Sequence, residues 1–224
     1  MKPTLTVVRT AKKSEAETEK RRRGGTAATR EERRSPLPGD DVVPHSRGGY
    51  TLAITIDAAR SEIWPWLVQM GQGRGGFYTP QRLERLLGAE IRNADEIIPE
   101  LQRLAVGDVV RLTPDPYLGR PGRSMTVAAL KQRRALVFRQ LLPNGSVASW
   151  AFVLRTSGMA STRLLVRRRT EEATLMYRAL QPAHRLVDAS MLRGIRRRAE
   201  SAARHSRLHR LGVPVLRRRG DDAS

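Results

Sequence analysis

Residues 50–56 read YTLAITI, residues 57–88 read DAARSEIWPWLVQMGQGRGGFYTPQRLERLLG, and residues 91–112 read IRNADEIIPELQRLAVGDVVRL. In the first piece Tyr50, Leu52, Ile54 and Ile56 alternate with Thr51, Ala53 and Thr55, the two-residue period of a half-buried strand. Asp57 closes that strand and is placed to cap a helix. Pro65 inside SEIWPWLVQM removes a backbone donor and crowds the turn before it, so a short or kinked helix is expected there. A second helix is signalled by Thr79 as N-cap, Pro80 at its first position, Leu83, Leu86 and Leu87 on one side, and Gly88 past its end. Both helices carry large apolar side chains, which must be buried against a sheet made from later sequence.

That later sequence supplies the sheet. After Val106 come VVRL, SMTVAALK, ALVFRQLL, SVASWAFVL and TRLLVRRR, separated by turn signals at residues 131–134, at Pro143-Asn144-Gly145 and at Ser157-Gly158. The pattern predicts an antiparallel meander of about five strands, six with the first. Beyond Glu171, Leu175, Met176, Leu180, Leu186, Val187, Met191, Leu192 and Ile195 recur at three- and four-residue steps across an interruption at Pro182, which predicts a long C-terminal helix.

At 224 residues the chain holds one domain with appendages. Its net charge of +20 is uneven. Residues 1–40 hold 11 basic and 6 acidic side chains, residues 41–190 hold 21 and 13, and residues 191–224 hold 10 and 3. The ends therefore carry +12 of the excess. Arginine outnumbers lysine throughout, which points to compositional bias as much as to a binding surface. Absence of cysteine excludes disulfides and thiolate metal sites. The first residues lack an apolar run of signal-peptide length, and no window approaches the roughly 20 apolar residues that span a bilayer, so a cytoplasmic location is expected. Three parts are predicted: a disordered basic leader over 1–48, lacking any sustained apolar period, a folded domain over 49–203 and a basic tail over 204–224.

Strand, two short helices, meander and long helix describe an α+β helix-grip: a curved antiparallel sheet of six to seven strands around one long helix. On residues 50–88, IRNADEIIPELQRLAVGD, SWAFVL and MLRGIRRRAE, the chain resembles the START-like superfamily also called SRPBCC, which includes polyketide cyclase type proteins. The resemblance spans about residues 50–200. It implies an apolar cavity between sheet and helix that takes up a hydrophobic small molecule, such as a lipid or polyketide-like compound, without a cofactor.

The candidate cavity wall follows from position. Trp64, Trp66, Met70, Phe77 and Tyr78 surround the glycine turn GQGRGG, and Met125, Phe138, Trp150 and Phe152 are inward candidates from the sheet. Leu180, Val187 and Met191 come from the helix that should cross it. Core packing is the plainer reading of each singly. Ala148 and Ala129 are the small residues whose enlargement would fill such a cavity.

Gly71, Gly73 and Gly76 match the spacing of a dinucleotide-binding loop, but that motif needs a parallel strand before it and a crossover after it, so a hairpin between helices is the preferred reading. His184 and Asp188, four apart on the long helix with Tyr177 further back, form the acid/base set that a cyclase or aromatase-type enzyme would require. A surface helix pair is the plainer alternative. His205 and His209 are also four apart but lack a third ligand, so no metal is expected. Arg193, Arg197, Arg204 and His205 stand opposite Met191, Leu192, Ile195 and Ala199, a basic amphipathic face. Its partner would be a nucleic acid or an anionic membrane, reached through the Arg-rich ends.

Overall fold

The computed structural model describes residues 25–80, 92–117, 119, 121–172 and 174–210. In chain order these form α1 (Arg30–Arg34), β1 (Gly48–Ile56), α2 (Arg60–Val68), β2 (Val109–Arg111), β3 (Ser124–Lys131), β4 (Ala135–Leu141), β5 (Val147–Thr156), β6 (Thr162–Thr170) and α3 (Leu175–Arg210), with single 3-10 turns at Asp40–Val42 and Pro99–Gln102. The predicted second helix, with Leu83, Leu86, Leu87 and Gly88, lies outside the described residues, beyond Pro80.

All strand pairs are antiparallel in one six-stranded sheet of order β1-β6-β5-β4-β3-β2. Four consecutive hairpins build the meander, and β1 closes onto its last strand. The predicted turns all fall at strand junctions, with Arg133 and Gly145 supplying the positive φ values the β3–β4 and β4–β5 turns need. The concave face takes alternate residues from each strand: Leu52, Ile54 and Ile56, then Leu164 and Val166, Phe152 and Leu154, Leu136 and Phe138, and Met125 and Val127, all buried in one cluster with Leu192, Ile195, Ala199 and Ala203 of α3. This is the helix-grip α+β architecture.

The two helices differ from their sequence reading in instructive ways. Helix α2 is short, as Pro65 requires, but its N-cap is Ala59, whose N–H donates to Glu62 at 2.7 Å. Asp57 stands two residues too early to cap it and instead donates its N–H to Glu200 of α3 at 3.1 Å. Helix α3 is unbroken through Pro182. It also runs into the expected tail over 204–224, where Arg207 Nη2 donates to the Asp57 carbonyl, so the folded domain extends past residue 203. Residues 211–224 lie outside the described residues.

The expectation of a disordered leader over 1–48 is corrected for its described part, residues 25–48. Ala53 N–H donates to the Thr26 carbonyl, Ala27 bridges to Leu52, and Ala28 and Leu37 bury against Ala53, Ala135, Val153 and Leu165 on the convex face. Charge explains the docking. Three alternate arginines of β6 face outward there, and each finds partners in this segment. Arg163 contacts Glu32 at 2.8 and 3.0 Å. Arg167 contacts Asp40 at 2.7 Å and three backbone carbonyls, and Arg169 donates to the carbonyls of Val43 and Pro44. A leader without an apolar period is ordered because its acids and carbonyls satisfy guanidinium groups that would otherwise be half-buried and unpaired.

Candidate functional site

Strand register assembles the site. Tyr50 pairs with Arg168, Arg168 pairs with Trp150, and Trp150 pairs with Phe138, which places the four side chains in one row across the concave face. Arg168 alternates with Val166 and Leu164, so it points into the grip where its neighbours Arg167 and Arg169 point out. Its guanidinium lies 3.9 Å from the centre of the Trp150 ring, a cation–π contact. Above it sits Asp188 of α3, a carboxylate only 1% exposed. Arg168 Nε and Nη2 donate to it at 2.7 and 2.9 Å, and Tyr50 Oη donates at 2.9 Å.

These bonds fix the charge states. Burial opposes the charge on Arg168, but Asp188 more than offsets it and holds the guanidinium protonated. Burial, reinforced by the carboxylate of Asp188, pushes the Tyr50 hydroxyl well above its ordinary value, so it remains a donor. Asp188 is buried and accepts three bonds, while Arg168 keeps 28% of its side chain exposed along the cleft.

Next to this pair a cleft of about 290 Å³ opens between the sheet and α3. Phe77, Trp150, Val187 and Met191 give it an apolar wall, and Arg123, Tyr177 and His184 stand toward its open side. Desolvation lowers the His184 pKa, the Arg168 and Arg123 charges lower it further, and Asp188 opposes them, so the imidazole is neutral near pH 7. Tyr177 and His184 have their ring centres 6.4 Å apart. A wider groove of about 710 Å³ runs along the far side of α3 by Asp95, Glu96, Arg197 and Arg198. It is shallow and charged, and Arg198 there is already bonded to Asp95 at 2.6 Å.

Of the predicted cavity residues, the cleft brings together Phe77, Trp150, Val187 and Met191, with Tyr177, His184 and Asp188 of the weaker acid/base set. Trp64, Trp66, Met70, Tyr78, Met125, Phe138 and Phe152 are buried in the core cluster outside its wall. Leu180 is 47% exposed, a correction: α3 still meets β1 at this level through Gln181, whose Nε2 donates to the Gly49 carbonyl at 3.3 Å, but Leu180 lies on another side of the helix. The cleft is also open at one side, where an internal cavity was expected. His184 and Asp188 share a helix face without bonding to each other, because Asp188 is turned inward to Arg168. A surface pair is equally wrong for a carboxylate so buried. Arg168 and Tyr50 were missed. The alternation in TRLLVRRR was the available signal, since it singles out the middle arginine as the inward one.

GQGRGG forms a tight hairpin in which Gly71 and Gly76 exchange N–H donors at 3.0 Å. Gly76 has φ 74°, and a Cβ there would press on Asn93. No phosphate cradle results. His205 Nδ1 meets the Ser201 carbonyl at 2.8 Å, and the side chain of His209 lies outside the described residues. Among the described residues no three His, Asp or Glu side chains converge as a metal site, and no helix is long and apolar enough to cross a membrane.

No family model matches the chain, and no curated protein matches it. Solved structures resemble it at low identity. A protein from Mesorhizobium loti is 15% identical, with 69% of this chain and 98% of that one covered and a TM-score of 0.45. The Aha1 dimer from Colwellia psychrerythraea is 14% identical over 69% and 98%, with a TM-score of 0.44. Norcoclaurine synthase from Thalictrum flavum is 14% identical over 71% and 96%, with a TM-score of 0.44. The fold itself is a helix-grip on its own strand order, register and long helix.

Proposed function

We propose that this chain binds a hydrophobic small molecule in the cleft between the concave face and α3. The observation that carries the reading is the cleft itself: about 290 Å³ left unfilled beside Trp150, in a domain whose neighbouring core positions are packed to near-zero exposure. That volume lies at the lower end of small-molecule sites, so the ligand is compact. Apolar area removed from water there contributes about 25 cal/mol per Å². Arg123, His184 and Tyr177 at the open side orient a polar end of the same molecule.

An acid/base enzyme of the cyclase kind is the second reading, favoured by a neutral imidazole and a phenol on the cleft wall. It rests on His184 and Tyr177 without Asp188, whose lone pairs are engaged by Arg168 and Tyr50. Nothing in either reading calls on a cofactor.

Titration of the full chain with an environment-sensitive naphthalene fluorophore tests the binding reading. One saturable site, displaced by excess unlabelled naphthalene, is expected. A linear, non-displaceable response would overturn it.

A further inference from the structure

The cleft beside Trp150 offers more hydrogen-bond donors than its own acids can use. A guanidinium has five N–H donors, and Arg168 spends two of them on Asp188, at 2.7 and 2.9 Å. Its other three meet no acceptor among the described residues, and 28% of its side chain stays exposed along the cleft. Arg123 lines the same cleft, and its exposed guanidinium meets no acid or carbonyl among the described residues. The indole Nε1 of Trp150 is buried without an acceptor as well. Against these donors stand two acids. Asp188 already accepts from Arg168 and Tyr50, and Glu172 stands at the exposed rim, accepting from Thr174 Oγ1 at 3.0 Å. The third arginine of the lining, Arg169, is turned to the convex face, where it donates to the carbonyls of Val43 and Pro44.

We infer that the ligand of this cleft is a compact carboxylic acid, with its apolar body against Trp150, Val187 and Met191 and its carboxylate on the unpaired N–H groups of Arg168 and on Arg123. The inference rests on the binding reading above and adds the chemical class. Guanidinium donors lie in one plane and match the two oxygens of a carboxylate, which makes such contacts shorter and stronger than neutral ones. Asp188 and the Trp150 ring already hold the Arg168 guanidinium in place, so little side-chain freedom is lost when a ligand arrives. The two arginines act on one region of the cleft. After desolvation, the charge of Arg168 lowers the His184 pKa, Asp188 opposes it, and the charge of Arg123 lowers it further. A carboxylate entering there meets two cations and a neutral imidazole. A purely apolar ligand would instead cover the Arg168 donors and leave them unpaired, which costs affinity.

Competition against the naphthalene fluorophore near pH 7, with 2-naphthoate and its neutral isostere 2-naphthamide, tests it on the full chain. Naphthoate should displace the fluorophore at a concentration about tenfold lower than naphthamide does. Arg123→Gln should cut that preference about threefold and leave the naphthamide affinity unchanged. Arg155→Gln removes the same charge from an exposed arginine outside the cleft and should leave the preference intact. Both variants change exposed side chains, and circular dichroism verifies their fold. Equal displacement by the two probes, with the fluorophore still held at one saturable site, overturns the acid class and leaves the binding reading standing; a fluorophore that does not bind removes both. An equal loss of preference in the two variants would trace it to the net charge of the chain, and no loss in either would take the carboxylate off Arg123. Each of those results overturns the inference.

Discussion

Gly194 of α3 lies directly against the backbone carbonyl of Tyr78, so closely that a Cβ at 194 would overlap that oxygen. Tyr78 is itself fully buried at φ 61°, in the left-handed region that non-glycine residues rarely occupy, and its hydroxyl donates to the Trp66 carbonyl at 2.8 Å. The obstacle is backbone and cannot rotate away. Gly194→Ala should therefore destabilise the fold by about 1–3 kcal/mol, the cost of overpacking, even though alanine is favoured by about 1 kcal/mol in a helix interior. Urea denaturation measures the sign. A stabilised variant would mean that α3 can lift from Tyr78 at no cost.

Asp188→Ala should cost about 1–3 kcal/mol, because it leaves the partly exposed Arg168 unpaired beside Trp150 and strips Tyr50 of its acceptor. His184→Ala, on the exposed rim of the same helix face, should cost under about 0.5 kcal/mol. Thermal denaturation of the two variants side by side separates a buried ion pair from a surface helix pair. Equal, small losses would show that the Arg168 to Asp188 contact contributes little.

The docked segment at residues 25–48 makes a pH-dependent contribution. Burial alone would raise the Glu32 pKa, but bonds from Arg163 and Thr29 outweigh it and hold the carboxyl below its ordinary 4.5. Its folded pKa is the lower one, so the stabilisation is fully present above about pH 4.5 and is lost as pH falls through the folded value. Wild type and Glu32→Gln should then differ by a constant margin from pH 7 to pH 5 and converge toward pH 3. Denaturation at stepped pH checks this; a gap that widens with acid would contradict the sign.

Truncation before Tyr50 should leave a destabilised, aggregation-prone domain, since Arg163 and Arg167 lose their partners and Ala53, Val153 and Leu165 lose their cover. Trimming only residues 1–24 leaves all those contacts in place. Comparing the two in a thermal melt decides whether the segment is part of the fold: equal melting points would make it an ornament.

Ala148 lines the cleft, whereas Ala129 follows a bulge in β3 and pairs with Val137 of the outward row. Ala148→Leu should abolish uptake of the naphthalene fluorophore with little loss of stability, because the added methyl groups occupy space that is empty. Ala129→Leu should leave uptake unchanged. Retained binding in the Ala148 variant would move the ligand out of this cleft.

The sequence alone indicated β1, the short helix at Pro65, the strands of the meander and the long C-terminal helix in their order, though not α1, for a physical reason: strand alternation, turn glycines and helical periodicity are local, each legible within a window of about ten residues. Trp150 and Phe138 could be assigned to one face, and a helix-grip topology followed from element order. Register, by contrast, is set between strands far apart in sequence. It decided that Arg168 points inward between Tyr50 and Trp150 while Arg167 and Arg169 point out, and so turned an apparently basic run into one buried ion pair and two docking points for residues 25–48. The same dependence hid the fate of α3. Its apolar period predicted packing along its whole length, but only the tertiary structure shows that its first turns meet β1 through Gln181 and leave Leu175, Met176, Leu180 and Leu186 facing solvent, because periodicity reports that a helix has an apolar face and not what lies opposite it.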